Sequence, residues 1–180
     1  MLIRITEYGG IDERKLMDVY AESNYENTDY FFPDMEDKEA AAKQVEAGFL
    51  EFLKNDFFNQ AGAAYWVLEK EGIWVSALRT SLIEPGLYYM EALETRPECR
   101  KKGHAAELLR EVTGHLKEEG SFRLCCRVSK RNIPSLKTHL KCGFRIVSEE
   151  GLDYLSGERD DRDYGLEYRH EAGERQEVEK

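Results

Sequence analysis

Arg100-Lys101-Lys102-Gly103-His104-Ala105 is the stretch on which the reading of this chain turns. An extended segment precedes it, Leu87-Tyr88-Tyr89-Met90-Glu91-Ala92-Leu93-Glu94-Thr95, closed by Arg96-Pro97. After it, Ala105, Leu108, Leu109, Val112 and Leu116 recur at the spacing of one helix face. A strand therefore leads through a basic, glycine-containing turn into a helix. Such a layout suits a polyanion, because the first turn of a helix leaves about four backbone N–H groups without partners and the dipole adds positive charge there. Gly103 has no Cβ, so a phosphate can approach the backbone, while Arg100, Lys101 and Lys102 surround the same point with cations. A solvated helix start with an ordinary turn glycine fits the same residues.

The pattern Arg100-x-x-Gly103-x-Ala105 between a strand and an amphipathic helix resembles the acyl-CoA pyrophosphate loop of the GCN5-related N-acetyltransferases. A second stretch, Asn132-Ile133-Pro134-Ser135-Leu136-Lys137-Thr138-His139-Leu140-Lys141-Cys142-Gly143-Phe144, resembles that family's later helix, which opens near an asparagine and closes on Gly-Phe. The two motifs are independent, in order, and separated by one helix and one strand. The matched core runs over roughly residues 64–147, and the remaining layout is compatible to about residue 169.

Composition agrees with one globular domain. The chain has 180 residues, 41% hydrophobic and 34% charged, with no run near the ~20 apolar residues of a membrane span and no apolar leader at its N-terminus. The net charge of −10 is uneven. From Arg96 to Arg145 there are 13 Lys/Arg against 5 Asp/Glu, a net of +8, which leaves −10 − 8 = −18 for the rest. A basic segment inside an acidic protein points to a local anionic ligand rather than to nucleic acid. Acidic surfaces are common, but this one also suits a cationic acceptor such as an amine. Cys99, Cys125, Cys126 and Cys142 follow neither zinc nor disulfide spacing and read as reduced thiols of a cytoplasmic protein.

Period-two and period-3.6 patterns predict strands over residues 2–7, 64–69, 73–79, 87–95, 122–128, 144–147 and 164–168, and helices over 11–23, 39–55, 105–116 and 132–142. Residues 24–38 read as a loop rich in aromatics, 149–163 as an acidic loop, and 171–180 as a charged, disordered tail after a domain of residues 1–170. The fold class is α/β (α+β). The resemblance implies a mixed, mostly antiparallel sheet of six or seven strands with about four helices, whose parallel pair, 87–95 and 122–128, splays at a bulge.

It also implies a site. Acetyl-CoA would lie with its pyrophosphate on Arg100, Lys101, Lys102, Gly103, the backbone N–H of His104, and Ala105, and with its pantetheine amides on the backbone of Leu93 and Thr95. Asn132 would cap its helix and touch the cofactor, and the aromatics of the loop, Tyr30 and Phe31 among them, would either pack as a lid on the domain or shape the acceptor site. Acyl transfer to an amine needs a proton acceptor, and alternation puts Glu91 on the face of Tyr89 and Leu93, in a strand where a carboxylate is costly to bury unpaired. Glu91 is thus the candidate base, directly or through water; a carboxylate paired with Arg79 or Arg127 is the other reading, and Glu94 points the other way. The family's usual acid, a tyrosine four residues before Gly-Phe, is replaced by His139, which either donates a proton or merely contacts the cofactor. No metal-ligand cluster, nucleophile triad or dinucleotide fingerprint appears in the sequence. The expected reaction is direct acetyl transfer to a small-molecule or peptide amine by a monomer or homodimer, with a non-catalytic acyl-CoA-binding module as the rival.

Overall fold

The computed structural model describes residues 1–173. In chain order the elements are β1 (Leu2–Ile5), α1 (Glu13–Glu26), α2 (Thr28–Phe31), α3 (Lys38–Asn55), β2 (Ala64–Lys70), β3 (Ile73–Glu84), β4 (Leu87–Thr95), α4 (His104–Glu119), β5 (Phe122–Ser129), α5 (Ile133–Lys141), β6 (Arg145–Ser148), β7 (Gly151–Leu152), β8 (Arg159–Asp160) and β9 (Asp163–His170). The expected tail, 171–180, lies outside the described residues from 174 on.

The turns organise the centre of the sheet. Glu71 and Gly72 both take positive φ, 52° and 77°, the geometry of a tight hairpin whose twist matches the strands it joins. β2, β3 and β4 therefore form an antiparallel meander, and the full order is β1-β2-β3-β4-β5-β9-β6. Every pair is antiparallel except β4 with β5, which α4 connects. Period-two alternation gives the sheet two apolar faces. Trp66, Leu78 and Met90 meet Leu108, Leu109 and Val112 of α4 on one. Tyr65, Val67 and Ala77 meet Leu16 and Tyr20 of α1 and Leu53 of α3 on the other.

Asp12 and Asp37 cap α1 and α3, their carboxylates accepting from Lys15 and Ala40 N–H, and Gly120 ends α4 at a φ of 125°. β3, α4 and β9 run longer than expected, β3 most of all, to Glu84, and three other places differ. The first strand stops at Ile5, because a 3₁₀ turn over Tyr8–Gly10 follows it. The aromatic loop contains α2, so the described residues hold five α-helices rather than four; one turn of helix is too short to show a hydrophobic period. The acidic loop holds the β7–β8 hairpin, at whose edge Arg127 of β5 lies 3.6 Å from Asp153 and 3.8 Å from Asp163.

Candidate active site

β4 and β5 pair only from Leu87–Tyr89 to Arg123–Cys125. Beyond Tyr89 they part, and a slot of about 190 Å³ opens between them, lined by Leu93, Cys126, Val128, Asn132 and His139 among others. The same stretch of β4 carries a bulge. Arg79 stands opposite Glu91 and Ala77 opposite Glu94, so Ala92 and Leu93 together oppose the single residue Leu78. Ala92 sits in the left-handed region at φ 54°, a conformation an L-residue adopts at some cost, and its small side chain keeps that cost low. Tyr20 of α1 donates to the Ala92 carbonyl at 2.6 Å and accepts from the Tyr65 hydroxyl at 2.7 Å, which ties the bulge to the helical layer.

The extra residue reverses the strand's parity. Glu91 is turned to Arg79 on the side of α1 and α3 while still lining the slot, whereas Leu93 packs with Met90 on the α4 side, so the expectation that Glu91 and Leu93 share a face is corrected. Glu91 is the carboxylate partner of Arg79: Nε donates to Oε2 at 3.3 Å, and the two side chains are 21% and 15% exposed. Arg79 is held further by the faces of Phe52 and Phe49, at 5.1 and 6.0 Å.

Across the bulge lies a cavity of about 540 Å³ between α1, α2, α3 and the sheet. Glu94 lines it beside Tyr20, Phe49 and Arg79, and Ala92 lines both it and the slot. Burial raises the Glu94 carboxyl above its ordinary range; Arg100, 3.8 Å away, pulls the other way, and Glu22 and Glu26 add to the rise. Residue alternation alone gave Glu94 the weaker claim, and the bulge is what aims it into the cavity.

The basic turn follows β4 after a 3₁₀ turn over Pro97–Cys99. Gly103 is the N-cap of α4 at φ 83° with no side-chain cap, so the first-turn N–H groups are left to an anion. Nothing lies within 4 Å of where a Gly103 Cβ would stand. Lys101, at φ 61°, and Lys102 are exposed, while His104 is half-buried with its Nδ1 unpartnered and 3.6 Å from Glu107. Ala105 is half-buried at the helix start. Arg100 points elsewhere: it pairs with Glu22, and its Nε donates to the Thr95 carbonyl at 3.2 Å.

Residues 15–144 match the family model described as acetyltransferase (GNAT) family. The chain belongs to the GNAT acetyltransferase family. It is an acyl-CoA-dependent N-acetyltransferase, and acetyl-CoA is its cofactor. Similar solved folds include PaiA N-acetyltransferase from Thermoplasma acidophilum in complex with coenzyme A, at 15% identity over 94% of this chain and 99% of that one, with a TM-score of 0.64. The ribosomal-protein-S18-alanine N-acetyltransferase from Escherichia coli has 15% identity over 97% of both chains and a TM-score of 0.61. Campylobacter jejuni N-acetyltransferase PseH, in complex with acetyl coenzyme A, has 12% identity over 94% of this chain and 99% of that one, with a TM-score of 0.58. At these identities they share the fold. No curated protein matches the chain at a significant level.

The GNAT frame orders the remaining candidates. Leu93 and Asn132 line the slot, Asn132 also capping α5 by accepting from the Ser135 N–H at 3.1 Å. Thr95 is turned to β3, its hydroxyl 3.1 Å from that of Ser76 and its carbonyl taken by Arg100. His139 lines the slot but is 2% exposed, edge-on to Phe144, with Nδ1 2.8 Å from the Ser135 carbonyl. Burial lowers its pKa, so the neutral ring keeps its proton on Nδ1 and offers a lone pair at Nε2. That arrangement opposes the proton-donor reading. Phe31 lines the cavity, but Tyr30 is 80% exposed and outside its wall, held edge-on to Phe31. Among the described residues no helix is long and apolar enough to cross a membrane.

Proposed function

We propose that acetyl-CoA lies along the slot with its pyrophosphate at the start of α4, and that the acceptor amine enters the cavity on the far side of the Ala92 bulge. The observation that carries this reading is the bulge itself: one residue lines both spaces, so a thioester in the slot and an amine in the cavity meet there. The residues fit the cofactor. The uncapped N–H groups after Gly103 are suited to an anion, and the β4 backbone beyond Tyr89 has no β5 partner. Acetyl-CoA supplies an acetyl group already activated as a thioester.

Glu94 is the proposed base. An ammonium in the cavity must lose a proton before its lone pair can attack, and a carboxyl raised by burial accepts one near neutrality better than an ordinary one. Glu91 holds Arg79 in place and positions the bulge from behind. The amide nitrogen's second proton ends on the released thiol, so transfer balances without a separate acid, and His139 orients the slot through its contacts. Lys101 and Lys102 supply charge to the phosphates, whereas Arg100 anchors the loop to α1 and β4. Four free thiols support a reducing, cytoplasmic setting. A cavity with its own carboxylate beside the slot favours turnover over a non-catalytic module.

The test is CoA release by the purified protein and by Glu94→Gln. A loss of about 10²–10³-fold in kcat with acetyl-CoA binding retained is expected for removal of a general base. Unchanged kcat in Glu94→Gln would end the assignment.

A further inference from the structure

The cavity wall is chemically one-sided. Its large side chains are Phe31, Phe32, Phe49, Phe52 and Tyr20, and its polar remainder is dominated by the neutral amides of Asn24, Asn27 and Gln44. Glu94 is the one carboxylate in that wall and Arg79 the one cation. Resting on the acceptor-site reading above, we propose that the acceptor is a small monoamine with an aromatic body, its ammonium at Glu94 and its ring among the phenylalanines.

Three features select this class. First, the volume of about 540 Å³ is that of a small-molecule site, within the usual ~300–1,000 Å³. Second, a polyamine or aminoglycoside would carry further ammonium groups into a wall whose one lining carboxylate is Glu94; Glu22 and Glu26 act on Glu94 from outside the lining, and Glu22 is already paired with Arg100. A buried unpaired charge is strongly disfavoured. Phenyl rings can hold a cation over their faces, but Arg79 already occupies Phe49 and Phe52 in that way. Third, most of the wall is helix side chains, and its strand residues, Arg79, Ala92 and Glu94, come from interior strands rather than from a sheet edge. An extended peptide would lay its backbone N–H and C=O groups against phenyl rings without partners.

The experiment is CoA release from acetyl-CoA by the full-length protein with 2-phenylethylamine, tryptamine, spermidine, kanamycin and an alanyl tripeptide, beside Phe31→Ser. Phe31 is 57% exposed, so the variant keeps its core. Aromatic monoamines are expected to show kcat/KM at least about tenfold above the others, and Phe31→Ser to raise their KM severalfold while keeping the thermal shift with acetyl-CoA. Preference for spermidine, kanamycin or the tripeptide overturns the proposal and leaves acetyl transfer standing. If no amine is turned over, calorimetry of 2-phenylethylamine on the CoA-bound protein decides: saturable binding supports the class, and absence of binding overturns it. Absence of any stabilisation by acetyl-CoA would instead overturn the acceptor-site reading on which the class depends.

Discussion

Glu91 and Glu94 lie on one strand and do different work. Glu91 neutralises a guanidinium that is 15% exposed, so Glu91→Gln is expected to cost about 3 kcal/mol of stability, the usual size for breaking a largely buried pair from one side, as read by chemical denaturation. Glu94 is the opposite case. Its folded pKa is raised by burial, so the folded state favours the protonated form. Stability is then full below the unfolded pKa of about 4.3 and falls as pH rises through the folded value. Glu94→Gln should melt higher than the parent at neutral pH, and the two should converge near pH 4. The acid limb of kcat/KM should likewise sit above the ordinary carboxylate range and vanish in the variant. His139 has a lowered pKa, so it stays neutral where the enzyme works. His139→Gln should keep kcat within about threefold, whereas loss of a true proton donor costs about 10²–10⁴-fold. The sequence shows His139 on the later helix and Glu91 in the strand. It could not show that one ring nitrogen is committed to Ser135 or that Arg79 claims the carboxylate, because both depend on neighbours brought in by folding.

At the scale of elements, β4 and its bulge decide the geometry. The strand, the basic turn and α4 were legible because each carries a local signal: alternation, a positive-φ glycine, and a helical stripe. The bulge carries none. Its left-handed residue is Ala92 rather than glycine, and a reader counting by twos puts Leu93 on the wrong face. The bulge also makes a prediction. A β-branched residue is poorly tolerated at φ 54°, and a larger one would fill the junction of slot and cavity. Ala92→Val should lose about 1–2 kcal/mol and at least tenfold in kcat/KM, whereas Ala92→Gly should keep its activity, as steady-state kinetics will show. The one-turn α2 and the β7–β8 hairpin were illegible for a different reason: segments this short have no period to detect.

Over the whole molecule, charge and topology agree. A segment of net +8 inside a chain of net −10 contains the start of α4, and α4 connects the two strands, β4 and β5, between which the seven-stranded sheet opens. Two motifs and the meander were enough to read this plan from sequence. Apart from Phe31, the cavity between the helices and the sheet was not legible, because its wall is assembled from α1, α2, α3 and two strands far apart in the chain. The central claim is that acetyl-CoA binds with its phosphates at Gly103, and thermal unfolding with and without acetyl-CoA tests it most directly, in the parent and in Gly103→Glu. A Cβ at this position meets no atom within 4 Å, and the left-handed φ of 83° costs a side chain about 1–2 kcal/mol, so the variant brings a carboxylate to the phosphate position at a modest cost in stability. At ~100 times its dissociation constant the ligand adds ~2.7 kcal/mol, which for a domain of this size is a rise of about 5–10 °C. That rise in the parent, absent from a folded Gly103→Glu, is the predicted result; no rise in the parent at saturating acetyl-CoA, or an equal rise in both proteins, would contradict it.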